Sequence, residues 1–202
     1  MSYYSYNRRG LDPVRILILI NAAVFFLSYV FEIVSPRFYG LDFIPNLALI
    51  PGQFFSQPWT IFTSMFIHAG FWHIISNMLA LYFFGTYLTE LVGERKFLFV
   101  YFVGGITGGL FYVIYALLLA PFMRASAAVG ASGAIFAIGG ALAAIRPQTR
   151  VYIFPFPIPI PLWIAILIGF LVILPGIAWQ AHLGGGLFGA LAGLYFKHQK
   201  RL

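Results

Sequence analysis

Two side chains that could serve as a nucleophile and its base stand in glycine-rich settings in this chain: Ser132 in the stretch GASG and His182 in AHLGG. A serine hydroxyl attacks a carbonyl only when a base takes its proton. Imidazole, with an ordinary pKa near 6.5, can take that proton and return it. His73 and Asn77, in HIISN, are four apart and so share one helix face. Both carry N–H groups that can hold the oxyanion formed when a serine adds to a carbonyl. Ser132 opens an apolar run and is expected at a helix N-terminus, where the macrodipole and free backbone N–H groups favour negative charge. Gly130 and Gly133 flank it and leave room for substrate and for the segment carrying His182. The acidic residues narrow the chemistry. Only Asp12, Glu32, Asp42, Glu90 and Glu94 exist, and none accompanies the serine or the histidine in an apolar run. A Ser–His dyad is therefore expected, not a triad completed by an acid. A paired-aspartate site is excluded, and no HExxH zinc motif occurs. Cysteine is absent, which removes disulfides and thiolate ligands. No metal or cofactor is expected.

Taken singly, each residue has a plainer use. Ser132 suits close helix packing, His182 a buried histidine bonded to a carbonyl, and His73 with Asn77 a cross-link between helices. A transporter or channel site is a further use of buried polar groups. What favours chemistry is that all four meet at one depth, and that follows from the elements that carry them.

Those elements must lie in a membrane. Of 202 residues, 61% are hydrophobic and 8% charged, against about 25% charged in an ordinary soluble domain. A soluble fold of this size would expose apolar patches far beyond what monomers tolerate. A soluble enzyme, a nucleic-acid binder and a disordered chain are excluded. A membrane helix needs about 20 apolar residues, and six runs meet that need closely: Val14–Val34, Phe71–Val92, Phe97–Ala120, a short Val129–Ile145, Ile160–Leu174 after the proline run PFPIPIP, and Ala181–Phe196. The expected fold is an all-α integral membrane bundle of six transmembrane helices. It comprises a short N-terminal segment 1–13, a core 14–197 and a basic tail 198–202. A proline-punctuated segment from Ser35 to Gly70 reads as a folded loop in the interface. Gly104, Gly108, Gly185, Gly189 and Gly193 follow the small-xxx-small spacing of closely packed helices.

The net charge of +7 is a topology signal and not a nucleic-acid one. Arg8, Arg9, Arg15, Arg95, Lys96, Arg146, Arg150, Lys197, Lys200 and Arg201 fall on one side of the six runs, and Arg37 and Arg124 on the other. By the positive-inside rule both termini are cytoplasmic. Runs two, four and six then start at the opposite face, so His73, Asn77, Ser132 and His182 converge near that face. The N-terminus lacks the features of a signal peptide. With no transit peptide and a minimal core, the expected location is a prokaryotic plasma membrane, with the site near its extracytoplasmic face.

At these motifs the sequence resembles the rhomboid family of intramembrane serine proteases, over roughly residues 14–197. The matching signatures are HxxxN at His73–Asn77, GxSG at Gly130–Gly133, and AH followed by glycines at Ala181–Gly186. His68 matches a further family histidine, and Glu90 an acidic position after the second span. The resemblance implies a serine endopeptidase that cleaves single-span membrane proteins within or beside the bilayer, with Ser132 as nucleophile and His182 as base. His73, Asn77 and the Ser132 N–H would bind the oxyanion, and Gly130 would line that pocket. Substrate helices and the lipid bilayer are the implied partners. Substrate would enter beside span five, and LPGIAWQ would cap the site. The first loop reads Trp59-Thr60 where the family often has Trp-Arg, and Phe136 stands where many members stack a tyrosine on the histidine. The alternative is a catalytically inactive rhomboid-like protein that binds transmembrane helices.

Overall fold

A backbone in lipid must satisfy its N–H and C=O groups internally, and the helix does so within one segment. The computed structural model describes residues 11–34, 46–152, 158–173 and 178–200, and these are overwhelmingly helical. Helix α1 spans Pro13–Val34 and starts on a proline, whose missing N–H costs nothing in a first turn. A short helix α2, Thr60–Thr63, runs into a 3₁₀ turn, Ser64–Phe66. Helix α3, Phe71–Ala80, passes through a π turn, Leu81–Gly85, into α4, Thr86–Val92. Helix α5 is Glu94–Leu118 and α6 is Ser132–Ile145. Strands β1, Arg150–Val151, and β2, Ile160–Pro161, pair antiparallel. Helices α7, Leu162–Ile173, and α8, Trp179–Lys200, complete the described chain.

By length and apolarity α1 and α5 can each cross a membrane, and α2 with α3–α4 makes a third candidate bent by 93°. The fourth expected run is shorter than its sequence limits, because α6 begins only at Ser132 and has 14 residues. The fifth yields 12 residues, led in by the strand pair.

Helix α6 sits at the centre. Ile135, Ala137, Ile138, Gly139 and Gly140 are buried around its circumference, as expected of a helix that is apolar on all sides. Its neighbours approach through glycine. A Cβ on Gly104 would strike the Ala137 methyl, and one on Gly189 would strike the Ala137 carbonyl oxygen. On Gly185 it would strike the Gly133 carbonyl oxygen. Thus α5 closes on α6 against an alanine methyl, and α8 closes on it at backbone contact. The outer faces carry exposed Leu19, Phe26, Phe83, Ile114 and Leu191, a surface suited to lipid.

The segment before α3 is folded, with its own bonds. Thr63 Oγ1 donates to the Leu47 carbonyl, buried Thr60 to the Gln57 carbonyl, and the Trp59 indole N–H to the Asn46 carbonyl. Leu49 and Ala128 exchange backbone hydrogen bonds in an antiparallel bridge. Arg124 donates to the Leu117 carbonyl, capping the C-terminal end of α5. Of the LPGIAWQ stretch, residues 174–177 lie outside the described residues, as do residues 155–157 of the proline run and Arg37 and Asp42.

Candidate active site

Ser132 is the first residue of α6, and His182 lies in the first turn of α8. The glycine seam between α6 and α8 sets their separation. Ser132 Oγ and His182 Nε2 are 2.8 Å apart. His182 is buried, and its Nδ1 has no hydrogen-bond partner among the described residues. If Nε2 is to accept the serine proton, Nδ1 must carry the ring's own. No carboxylate among the described residues meets that proton. Asp12 pairs with Arg15 near the start of α1, Glu90 is exposed on α4, and Glu94 stands in the first turn of α5. The Phe136 ring, one turn after Ser132, lies against the His182 ring at 4.6 Å between centroids and 20° between planes. Phe136 in turn meets Phe170 of α7 edge-on.

Gly130 has a φ of +114°, which L side chains rarely adopt, and a Cβ there would lie 2.7 Å from His73 Nε2. Two independent constraints therefore demand glycine. Its N–H donates to the Ser64 carbonyl, which ties the site loop to the segment before α3. His73 Nδ1 accepts from the Ala69 N–H at 3.3 Å. A neutral His73 then carries its proton on Nε2, the nitrogen that faces Gly130. Asn77 Nδ2 donates to the His73 carbonyl at 2.7 Å. One of its two N–H groups is thus committed to the helix and the other remains. The first N–H groups of α6, that of Ser132 included, have no carbonyl one turn back inside the helix.

His68 is placed behind His73. The two rings meet edge-on with centroids 5.1 Å apart, and His68 Nδ1 lies 3.3 Å from the Phe66 carbonyl oxygen. Gly133 has a different part from the one its flanking position suggests. A Cβ there would meet the Ala181 carbonyl oxygen at 3.6 Å, an ordinary contact. The steric demand for close approach falls on Gly185 instead.

Two cavities meet at this cluster. One, of about 540 Å³, is lined by Ser132, His182, His73, Asn77 and Gly130. The other, of about 610 Å³, runs from Ser132 and Asn77 between α3 and α7 to Arg150. Ser76 lines both and donates to the His73 carbonyl at 3.1 Å. Sequence reading passes over Ser76 and over Ser64, which contributes only a carbonyl. Their roles come from spatial neighbours that no local spacing reveals.

The arrangement can perform acyl transfer. It supplies a nucleophile bonded to a base, N–H donors beside a glycine-lined space, and a cavity that reaches them. Residues 56–199 match the family described as Rhomboid domain. The chain is 32% identical to Rhomboid protein 1, mitochondrial, of Saccharomyces cerevisiae, over 96% of its own length and 55% of the relative's. It is 34% identical to RHOMBOID-like protein 12, mitochondrial, of Arabidopsis thaliana, over 90% and 57%. With Rhomboid protease GluP of Bacillus subtilis it shares 33% identity over 66% and 26%. A relative named inactive, of Arabidopsis thaliana, also matches, at 31% identity over 63% of the chain. The chain spans about half the length of the yeast and Arabidopsis relatives. These relatives overturn the expected prokaryotic plasma membrane, since two that align along nearly the whole chain are mitochondrial by name. That expectation leaned on how the chain begins, and a sequence spanning half its relatives' length carries no information there.

Proposed function

The chain belongs to the rhomboid family, a multi-span membrane fold, and from that premise we propose that it is a serine endopeptidase cleaving single-span membrane proteins in or beside the bilayer. The observation that carries the reading is the 2.8 Å contact between Ser132 Oγ and His182 Nε2. In this reading the six apolar runs are six spans, with both termini on the side of the basic cluster.

His182 Nε2 takes the proton as Ser132 Oγ adds to the scissile carbonyl. The oxyanion forms beside Gly130 and accepts from His73 Nε2–H, from the uncommitted N–H of Asn77 and from the Ser132 backbone N–H. His182 then gives its proton to the leaving amine as the C–N bond breaks, leaving an acyl ester on Ser132. Water enters through the 540 Å³ cavity. It loses a proton to His182 as it attacks the ester, and the serine is regenerated. With no acid on Nδ1, the Phe136 stack and burial hold the imidazole in plane. The cleft between α3 and α7 is the lateral route by which a substrate helix reaches Ser132.

The test is covalent labelling. A fluorophosphonate probe should label the reconstituted wild type and leave Ser132→Ala blank. Equal labelling of the two proteins would favour a helix-binding protein that performs no chemistry.

A further inference from the structure

The 610 Å³ cleft has unlike ends. At one end stand Ser132 and Asn77, and at the other Arg150 with Tyr152. Between them the walls are apolar, with Phe83 and Phe84 on the π turn facing Ala165 and Ile166 on α7. Arg150 is the one charged residue among those lining the cleft. It makes no ion pair among the described residues. Arg146, the other cation on this connection, is exposed as Arg150 is, and among the described residues no carboxylate lines the cleft to offset them. The backbone that carries the cation is held in place. Arg150 is registered against Pro161 in the strand pair, and the preceding Thr149 accepts from the Leu162 N–H at 2.7 Å. The Thr149 hydroxyl meets the Tyr87 hydroxyl of α4 at 3.1 Å. Two helices and a strand thus fix the backbone on which this guanidinium is mounted.

We propose that Arg150 is a specificity-determining residue: it pairs with an acidic side chain that the substrate helix carries about fourteen residues beyond the scissile bond. The inference rests on the endopeptidase reading and names the substrate class for the same site. The spacing comes from α6, whose 14 residues separate the nucleophile's level from the connection bearing Arg150. At 1.5 Å per residue that is about 21 Å, which a helical substrate segment covers in about the same number of residues. The sign comes from charge. Most membrane segments carry Lys or Arg on the side that also bears this chain's basic cluster, and such a flank is repelled at the foot of the cleft. An acidic flank is attracted there and can be held by two N–H groups of the guanidinium.

The test uses the full chain in liposomes and single-span substrates identical except at that position, which is Glu, Gln or Lys. For the wild type kcat/KM should fall in the order Glu, Gln, Lys, with on the order of a fivefold spread, the size of a partly shielded ion pair. Arg150→Gln should flatten the series and Arg150→Glu reverse it. Moving the Glu four residues towards the scissile bond should abolish its advantage. A wild-type series that is flat, or one left unchanged in Arg150→Gln, overturns the proposal. So does a rate that follows anionic lipid content through Arg150 and ignores substrate charge, since the cation would then serve a headgroup. Failure to cleave any of the substrates would overturn the endopeptidase reading as well.

Discussion

In the proposed mechanism His182 accepts a proton at Nε2 while keeping one at Nδ1, and no carboxylate among the described residues stands at Nδ1. Burial excludes water from Nδ1, and the Phe136 ring fixes the imidazole plane from one face. The opposite polarity holds at His73, where the Ala69 N–H occupies Nδ1 and leaves the proton on Nε2, towards Gly130. One histidine is thus set to accept and the other to donate. Asn77 supplies one more donor to the same space. Removing an oxyanion donor typically costs about 10²–10³ in turnover. Asn77→Ala should therefore lower kcat by about that factor with KM little changed, as read from steady-state cleavage. An unchanged kcat would strip Asn77 of the role. The four chemical side chains are legible in the sequence because the residue types are rare in apolar runs and the runs alternate in direction. The His73 tautomer is not, because it depends on the Ala69 backbone N–H.

At the scale of elements, the site is only as good as the seam that joins α6 to α8. Small-xxx-small spacing marks Gly185, Gly189 and Gly193, but spacing does not say what each glycine touches. In the structure Gly189 stacks on the Ala137 carbonyl, whereas Gly169 on α7 has open space where a Cβ would go. Overpacking a close contact costs about 1–3 kcal/mol where neighbours can yield, and a backbone carbonyl yields poorly. Gly189→Ala should therefore lower the thermal midpoint in detergent by several degrees, while Gly169→Ala should not lower it. Equal midpoints for the two variants would contradict a backbone-contact seam. The start of α6 is legible only approximately. Its apolar run begins at Val129, yet the Gly130 N–H is claimed by Ser64 and the helix opens at Ser132. That capture, like the Leu49–Ala128 bridge, joins segments distant in sequence. The π turn and the strand pair likewise answer to tertiary packing, so periodicity does not announce them.

At the scale of the whole molecule, the charge distribution and the cavities form one design. In the proposed six-span reading, ten basic residues mark one side of the apolar runs and the polar cluster lies towards the other. A cleft between α3 and α7 runs from Ser132 and Asn77 to Arg150. Low charge content is what makes the membrane class legible, and among the described residues it also leaves Ser132 and His182 without a carboxylate partner. The compartment was misread because it was inferred from a chain end, which has no bearing on folding or on the site. In the proposed function Ser132 and His182 together cleave a peptide bond inside a bilayer. The most direct measurement is the rate of cleavage of a purified single-span substrate in liposomes by wild type, Ser132→Ala and His182→Ala. Product is expected from the wild type alone, with both variants folded and inactive. Cleavage by either variant at the wild-type rate would contradict it.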